Sequence, residues 1–460
     1  MWMGRYSTPL FFSSIERRRV TWKILPSWFA LILAGAMLWP AAAGAQPITM
    51  RIVGSERQYG MAVSPLKSLG GDDNHQVSAQ FTRTLTRDYQ LSGYFRLIDP
   101  HAYVEDAQQS GYELGQFNFA DWSSINADFL VKGSITVNGN DVQLKAYLYD
   151  VARQRQQGGK SFTGSVDDVP QMARRFADAT LEMMTGIRGP FDSKLAFIST
   201  GKGRFKEVYT QSIDGQNLFK LTDNPTINLF PDWDQSGRYL LYLSYKTGDP
   251  GLYLADIKQR VETRLTSHHG ITIGGAVSPD AELVVASIEN GGATNLYLMD
   301  RSGHEIRKLT STQGINCNPA FSSDGQKLAF TSDRSGNPQI YVMPLSGGSA
   351  QRITYKGNYN TNPAFSPKGD QIAYQSRTGG RFDIFTIPAG GGDPRQLTEG
   401  GGTNESPSWS PDGRYLAFSS TREGHSHIFV MMVQNGKVTG SLTEGNGNDT
   451  SPAWSWWLGE

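Results

Sequence analysis

The residues of this 460-residue chain whose types and spacing could support chemistry are few. Gly159-Lys160-Ser161 looks like the end of a phosphate-binding loop, but Gln154 stands where such a loop needs its first glycine. Gly201 and Gly203 are spaced as in a dinucleotide-binding turn, yet the third glycine of that motif is missing. We therefore predict that both stretches are ordinary turns that bind no phosphate.

Two pairs of histidines are the candidates for metal ligands. His268 and His269 are adjacent, and His425 and His427 are separated by one residue. Neither pair has acidic or cysteine partners at a suitable spacing, so we expect exposed loop histidines. The sequence has no Gly-x-Ser-x-Gly nucleophile elbow, and its single cysteine, Cys317, cannot form an internal disulfide. We predict no catalytic residue, no metal site and no cofactor.

A repeat organises the C-terminal part of the chain. An aromatic residue that follows an aliphatic one recurs every 44 residues, and a Leu-Thr or Ile-Thr pair keeps the same step until a last interval of 45. Repeats of about 40–45 residues with four short strands are typical of β-propeller blades. Six copies predict an all-β six-bladed β-propeller whose recurring aromatics pack between blades. They are Tyr209, Tyr253, Tyr297, Tyr341, Phe385 and Phe429.

The two ends of the repeat region complement each other. The first copy starts at Lys194-Leu195 without the Pro-x-Trp-Ser strand that begins the other copies, and a strand of that type stands alone at 451–455. We predict that this C-terminal strand completes the first blade and closes the propeller, which removes exposed sheet edges at the seam.

Polar residues recur at the start of each inner strand, three residues before its proline position. Six blades would place them and their successors around one mouth of the central channel, where amides could bind an extended segment of another protein. The alternative is that they only close turns through bonds to their own backbone. The predicted partner-binding residues are Asn228, Thr272, Asn316, Cys317, Asn360, Thr361, Asn404, Glu405, Asp449 and Thr450.

An enzymatic function of the channel is the alternative to a binding function. Some six-bladed propellers hold a metal ion there and hydrolyse lactones or esters. The predicted ring contains two carboxylates, Glu405 and Asp449, whereas a hydrolytic calcium centre gathers more acidic oxygen ligands. The sequence therefore favours a binding module over a metal-dependent hydrolase.

Residues 46–186 lack the 44-residue step and are predicted to form a small N-terminal α/β domain. One helix should begin near Asp73 and stop at Gly93, and another should follow Asp168 and stop at Gly186. A linker at 187–193 would lead to the propeller at 194–460. The predicted strands are 48–53, 59–66, 94–98, 128–137 and 142–151.

The first 45 residues have the features of a cleavable signal peptide. Arg17, Arg18, Arg19 and Lys23 precede an apolar run that ends at Ala43-Gly44-Ala45, so the predicted mature chain begins at 46 in the periplasm. An uncleaved membrane anchor is the alternative, and the sequence leaves Sec and twin-arginine export open. We expect no membrane-spanning segment in the mature chain. Its net charge of about −4 gives no attraction for nucleic acid.

The signal segment, the stretch RTLTRDYQLSGYFRLID at 83–99 and six units of the type SPDGRYLAFSS at 410–420 occur in that order. This arrangement resembles the TolB family, the periplasmic component of Tol-Pal systems. The resemblance implies a monomer that binds the peptidoglycan-associated lipoprotein Pal at one channel mouth. It also implies coupling to TolA of the inner membrane, a role in outer-membrane integrity and in constriction at cell division, and further outer-membrane-associated partners.

The resemblance assigns the TolA coupling to the start of the mature chain, namely Gln46, Pro47, Ile48, Thr49, Met50 and Arg51. This segment is either a switch peptide or the first strand of its sheet, since Ile48, Met50 and Ile52 alternate as in a half-buried strand. One propeller unit departs from the family pattern, because Gly275 replaces the proline and Val277 the aromatic residue.

Overall fold

The structure is a computed structural model, and it describes residues 57–72, 74–201, 203–266 and 270–458. The predicted signal peptide, the TolA-coupling residues, the predicted strand at 48–53 and the pair His268-His269 lie outside the described residues. Within the described part, no helix is both long enough and apolar enough to cross a membrane.

The N-terminal domain is one mixed sheet with three helices. The sheet has the order β3-β1-β4-β5-β6, and β2 pairs with β4. Strand β1 is parallel to β3 and β4, whereas β4, β5 and β6 form an antiparallel meander. The elements are β1 Tyr59–Val63, β2 Lys67–Gly70, α1 Gln76–Ser92, β3 Phe95–Leu97, α2 Phe119–Ser124, β4 Phe129–Asn138, β5 Asp141–Asp150, β6 Arg155–Ser165 and α3 Val169–Thr185.

Helices α1 and α3 pack on one face of this sheet through apolar side chains. Phe81 and Leu85 of α1 meet Phe176 of α3 in a single core, with the rings of Phe81 and Phe176 6.3 Å apart. Gly93 and Gly186 end the two helices with φ of 72° and 78°, a left-handed conformation that suits glycine. Both predicted helix ends are confirmed.

The prediction of a turn at Gly159-Lys160-Ser161 is wrong, because these residues lie inside β6. A Cβ atom at Gly158 would stand 2.6 Å from the sulfur of Met183, so glycine in this strand allows α3 to approach the sheet closely. The turn predicted at Gly201 is confirmed, since the Gly203 N–H donates to the Thr200 carbonyl at 2.8 Å. Strand β2 and helix α2 were not predicted.

The remaining strands form six four-stranded antiparallel sheets, and these are the blades of the predicted propeller. Blade 1 has the order β30-β7-β8-β9, and blades 2 to 6 each take four consecutive strands from β10 to β29. The strands are β7 Ser193–Ser199, β8 Glu207–Ser212, β9 Phe219–Lys220, β10 Asn228–Trp233, β11 Tyr239–Thr247, β12 Asp249–Asp256, β13 Val261–Arg264, β14 Ile271–Val277, β15 Leu283–Asn290, β16 Ala293–Asp300, β17 Glu305–Lys308, β18 Asn316–Phe321, β19 Lys327–Ser332, β20 Gln339–Pro344, β21 Gln351–Arg352, β22 Asn360–Phe365, β23 Gln371–Thr378, β24 Arg381–Pro388, β25 Arg395–Gln396, β26 Asn404–Trp409, β27 Tyr415–Glu423, β28 His425–Met432, β29 Val438–Ser441 and β30 Asp449–Trp457.

The C-terminal strand closes the ring as predicted. β30 is the inner strand of blade 1 and pairs antiparallel with β7, so that Trp454 lies opposite Leu195. The Trp454 indole N–H donates to Ser193 Oγ at 2.8 Å, and the Lys194 N–H donates to Ser455 Oγ at 2.8 Å. Main-chain pairing and side-chain bonds therefore both hold the seam.

The recurring aromatics pack both within and between blades. Tyr341 stacks on Phe330 of the adjacent strand, with ring centroids 6.0 Å apart. It also belongs to an apolar cluster with Val285 and Leu296 of the preceding blade. Tyr253 and Phe429 are shared between neighbouring blades in the same way. For these three positions the predicted inter-blade packing is confirmed.

The N-terminal domain packs on blade 6 through hydrogen bonds to the C-terminal end of α1. Thr439 Oγ1 donates to the Leu91 carbonyl at 2.7 Å, and the Tyr415 hydroxyl donates to the Ser92 carbonyl at 2.9 Å. The segment predicted as a linker is held in place, because Asp178 accepts from the Phe191 N–H at 2.6 Å. The domain limits drawn from the sequence stay a prediction.

Candidate functional site at the channel mouth

The inner strands β10, β14, β18, β22, β26 and β30 all begin at one mouth of the channel. The first residue of each strand, or the second in β14, is a predicted site residue, and its side chain is buried between blades instead of facing the mouth. These residues are Asn228, Thr272, Asn316, Asn360, Asn404 and Asp449. Because these side chains are buried, they are not part of the exposed surface of the mouth.

Asn404 shows how the buried amides are bound. Its Nδ2 donates to Asp383 Oδ1 of the preceding blade at 3.1 Å. Its Oδ1 accepts from Ser420 Oγ at 2.8 Å and from the Arg422 guanidinium at 3.0 Å. The guanidinium also lies 4.7 Å from the ring centroid of Phe429. Asn316 makes the corresponding bonds with Ser332 and Arg334.

Two of the amides are bound only on the nitrogen side. Asn360 Nδ2 donates to Gln339 Oε1 at 2.8 Å, but Asn360 Oδ1 has no partner within the described residues. Asn228 Oδ1 is in the same state. We call the asparagine together with the serine and arginine that donate to its oxygen the clamp. The arginine position of the clamp is occupied by Thr378 in the blade of Asn360 and by Lys246 in the blade of Asn228. Each unpaired oxygen thus occurs in a blade that lacks the arginine.

Each buried asparagine bonds to an acceptor side chain of the preceding blade, and the threonine of that blade's Leu-Thr or Ile-Thr pair donates to the same acceptor. Thr398 Oγ1 donates to Asp383 Oδ1 at 2.8 Å, and Asp383 also accepts from Asn404. Thr354 donates to Gln339 at 2.7 Å, and Gln339 also accepts from Asn360. The sequence left open whether these amides bind a partner or close local turns. In the structure each asparagine bonds both to the preceding blade and to the residue four positions earlier in its own connecting turn, as Asn404 does to the Gly400 carbonyl at 3.2 Å.

The closing seam between blades 6 and 1 has a different pair at this position. His427 Nδ1 lies 3.3 Å from Asp449 Oδ2, and both side chains are buried. His427 is part of β28, so the prediction of an exposed loop histidine is wrong for this residue. His425 is exposed at the start of the same strand.

The next residue along each inner strand is less completely buried. Cys317, Glu405 and Thr450 are half-buried at the mouth, whereas Thr361 is buried. Burial raises the pKa of the Glu405 carboxyl, and it raises the pKa of the Cys317 thiol to about 12. The thiol therefore carries little of the reactive thiolate at neutral pH.

A bulge follows in every inner strand. The pairing register shifts within β10, β14, β18, β22, β26 and β30, and residues such as Phe230, Asn362 and Ser406 there have φ of 52–54°. Bulges bend a strand and redirect its side chains. The bulge residues line a channel cavity of about 160 Å³.

One carboxyl group lies deeper in the channel. Asp232 occupies the position that is Ala320, Ala364 and Ser408 in other blades, and it accepts from the Val277 N–H at 2.9 Å. Burial raises the pKa of Asp232 to about 7, and Asp234 adds to the increase. Sequence reasoning missed this residue, although it is the acidic exception at a position of small residues.

An exposed apolar crescent borders the same mouth. Directly before the buried first residue, blades 2, 3, 4 and 5 carry Ile227, Ile271, Ile315 and Tyr359, which are 46%, 54%, 49% and 40% exposed. Blades 6 and 1 carry Thr403 and Asn448 at this position. Sequence reasoning missed the crescent, although its residues stand at a constant place in the repeat.

Two family models match the chain. The model described as the TolB beta propeller domain matches residues 181–458, and the TolB amino-terminal domain matches residues 51–157.

The chain belongs to the TolB family.

Its relatives include the Tol-Pal system protein TolB of Desulfosudis oleivorans, which is 39% identical over 260 residues, or 56% of this chain and 59% of that protein. The protein of the same name from Syntrophotalea carbinolica is 36% identical over 213 residues, or 46% of this chain and 49% of that protein. The chain thus spans about half the length of the curated relatives it matches. A TolB crystal structure from Acinetobacter baumannii has a TM-score of 0.76 at 23% identity and covers 87% of this chain and 97% of that one, which supports the fold.

The mouth of this TolB-family propeller combines buried amides, two carboxylates and exposed apolar side chains. Within the described residues, no group of three His, Cys, Asp or Glu side chains is arranged to hold a metal ion. The two predicted carboxylates differ in surroundings, because Asp449 is bound to His427 while Glu405 is half-buried at the mouth. Blades 2 to 5 carry exposed apolar side chains at the mouth, and blades 6 and 1 carry these polar groups, a combination that suits a protein segment.

Proposed function

We propose that this TolB-family chain is a non-catalytic periplasmic adaptor of the Tol-Pal system. In this proposal the channel mouth binds the peptidoglycan-associated lipoprotein Pal, and the mature N-terminus couples to TolA of the inner membrane. The adaptor helps to maintain the outer membrane and its constriction during division. Family membership supports the proposal, since the matched relatives carry the name Tol-Pal system protein TolB.

The observation that carries the binding site is the apolar crescent beside a polar mouth. Ile271 and Ile315 are about half exposed on neighbouring blades, and Glu405 and Thr450 provide polar groups nearby on the ring. Stable protein interfaces combine an apolar centre with a polar rim. The partner should therefore place apolar side chains over blades 2 to 5 and polar groups toward blades 6 and 1.

The Pal arm is tested by measuring the affinity of purified Pal for Ile271→Asp and Ile315→Asp. A charge in the buried centre of an interface should weaken binding at least about tenfold. Ile306→Asp is the matched control, because Ile306 is a similarly exposed isoleucine on the outer strand β17. Equal affinities for all three variants would refute a Pal site at this mouth.

The TolA arm rests on the family resemblance, because residues 46–51 lie outside the described residues. Removal of these six residues from the mature chain should weaken TolA binding and leave Pal binding unchanged. Unchanged TolA affinity would contradict this part of the proposal. Calcium-dependent hydrolysis of esters or lactones by the purified protein would contradict the non-catalytic part.

A further inference from the structure

A second depression, called here the lateral cleft, lies where the N-terminal domain meets blades 1 and 2. Its volume is about 770 Å³, and the start of α3, strands β8 and β9 and the turn between β12 and β13 line it. Ligand pockets typically measure about 300–1,000 Å³ and are frequent at domain interfaces. The cleft shares no lining residue with the channel mouth, so a ligand there would not compete directly with one at the mouth.

One wall of the lateral cleft is apolar and exposed. Phe219 of blade 1 is 47% exposed, and Val261 of blade 2 is 57% exposed. Leu221 and Leu458 also line the cleft. Exposed apolar side chains grouped within a polar rim are typical of interaction sites.

Most ionic groups of the cleft already have partners. Asp256 accepts from the Arg238 guanidinium at 2.6 Å, and Arg174 donates to Asp214 at 3.0 Å. Glu262 pairs with Lys246, and Asp168 accepts from the Ser165 N–H and hydroxyl. These groups have little capacity left for a ligand.

Two cationic side chains of the cleft remain. Neither Lys194 nor Arg260 forms an ion pair with any described residue. Burial lowers the pKa of the Lys194 ammonium and the neighbouring Arg174 lowers it further, whereas Asp192 opposes the decrease. A half-buried ammonium that forms no ion pair costs folding free energy that a bound anion would offset. The remaining carboxylate, Asp167, is exposed.

We propose that the lateral cleft binds an extended segment of a partner protein in which an Asp or Glu lies beside an apolar side chain. The carboxylate pairs with Lys194 and Arg260, and the apolar side chain packs on Phe219 and Val261. A peptide suits the site better than a lipid surface, because Lys194 is half-buried inside a cleft that a flat bilayer does not enter.

The test uses the mature chain and three fluorescein-labelled octapeptides in which leucine alternates with glutamate, glutamine or lysine. Fluorescence anisotropy at low salt should show the glutamate peptide binding about tenfold tighter than the glutamine peptide. The double variant Lys194→Gln/Arg260→Gln should remove this difference and leave the glutamine peptide unchanged. Phe219→Ser should weaken both peptides.

The control variant Lys160→Gln/Lys368→Gln removes the same charge from exposed positions elsewhere, and it should retain the preference for glutamate. Ile271→Asp, which alters the channel mouth, should also retain it, so a failed mouth proposal would leave this result intact. Equal affinities for the three peptides would overturn the proposal. Binding of anionic phospholipid vesicles that depends on Lys194 and Arg260, without binding of the glutamate peptide, would also overturn it.

Discussion

His427 and Asp449 join the two ends of the propeller ring. At this seam the earlier blade supplies the donor and the later blade the acceptor, the reverse of the seams that contain an asparagine. His427 Nδ1 lies 3.3 Å from Asp449 Oδ2 at the seam between blades 6 and 1. At the preceding seam the earlier blade supplies the acceptor, Asp383, and the later blade supplies the donor, Asn404. If β30 lay beside blade 5, Asp449 would face the carboxylate of Asp383. Next to blade 6 it faces His427 instead, so this seam favours the observed position of β30.

This reversal predicts a strong coupling between the two residues. His427→Asp alone should destabilise the protein by about 3–5 kcal/mol, because it places two carboxylates together in a buried seam. The double variant His427→Asp/Asp449→Asn recreates the Asp383–Asn404 pair and should recover most of that loss. Urea unfolding of both single variants and the double variant measures the coupling. Additive effects would show that the two side chains do not act as a pair.

The clamp at Asn404 predicts a stabilising substitution in blade 5. Thr378→Arg should supply the guanidinium that Arg422 supplies in blade 6 and satisfy Asn360 Oδ1, which has no partner within the described residues. Satisfying a buried acceptor should raise the free energy of unfolding by about 1 kcal/mol. Tyr374 and Phe385, stacked 5.8 Å apart, provide the aromatic pair for the guanidinium to cover.

Thr378→Lys is the matched control, because it adds the charge without the planar fork that reaches the amide. The reverse substitution, Arg422→Thr, should destabilise blade 6 by leaving Asn404 with fewer donors. Denaturant midpoints of the three variants decide the matter. Equal gains from arginine and lysine would show that charge, and not the hydrogen bond to Asn360, is responsible.

The sequence predicted those features that depend on local or strictly periodic signals. The 44-residue step gave the number of blades, and the unmatched strand at 451–455 predicted the seam that Trp454 and Leu195 form. The strand β6 was missed, because Gly158 is needed for the close packing of Met183 against the sheet, and a glycine in the sequence does not show this long-range contact. The glycines indicated a turn at this place, whereas the structure has a strand on which α3 packs.

The candidate site was predicted in position but not in orientation. One acceptor of each of Asn228, Asn316, Asn360 and Asn404 comes from the preceding blade, 21 residues earlier in each case. Reading each blade separately hides this relationship, although the constant spacing of a polar residue before each asparagine was present in the sequence. The apolar crescent was missed for a different reason. An isoleucine in a sequence is expected in the core, and its exposure here depends on how the chain enters the inner strand.

Removal of residues 451–460 should disrupt the whole propeller. The deletion takes away most of the inner strand of blade 1, including Trp454, and it removes the Trp457 indole that donates to the Gly189 carbonyl at 2.7 Å. Strand β7 would then present an unpaired edge. The thermal midpoint should fall by roughly 10 °C or more in a single transition, as followed by circular dichroism. A truncated protein that melts like the intact one would contradict closure by β30.

Asp88 predicts how stability depends on pH. Its carboxyl is fully buried in α1, and neither oxygen has a hydrogen-bond partner within the described residues. Burial raises the pKa of Asp88 well above its usual value, and Asp214 of the propeller and Asp178 of α3 raise it further, whereas Arg174 and Arg87 oppose the increase. The folded protein therefore binds a proton at Asp88 more tightly than the unfolded chain does.

The sign of the effect follows from this difference in pKa. The contribution of Asp88 to stability is fully present below the unfolded pKa of about 4 and declines as the pH rises toward the higher folded pKa. Asp88→Asn cannot ionise, so the free energy of unfolding of the variant minus that of the wild type should increase between pH 4.5 and 8. Urea unfolding of both proteins across this range isolates Asp88, because the other groups contribute to both. A constant difference would show that Asp88 keeps an ordinary pKa, and a decreasing one would show that its pKa is lowered.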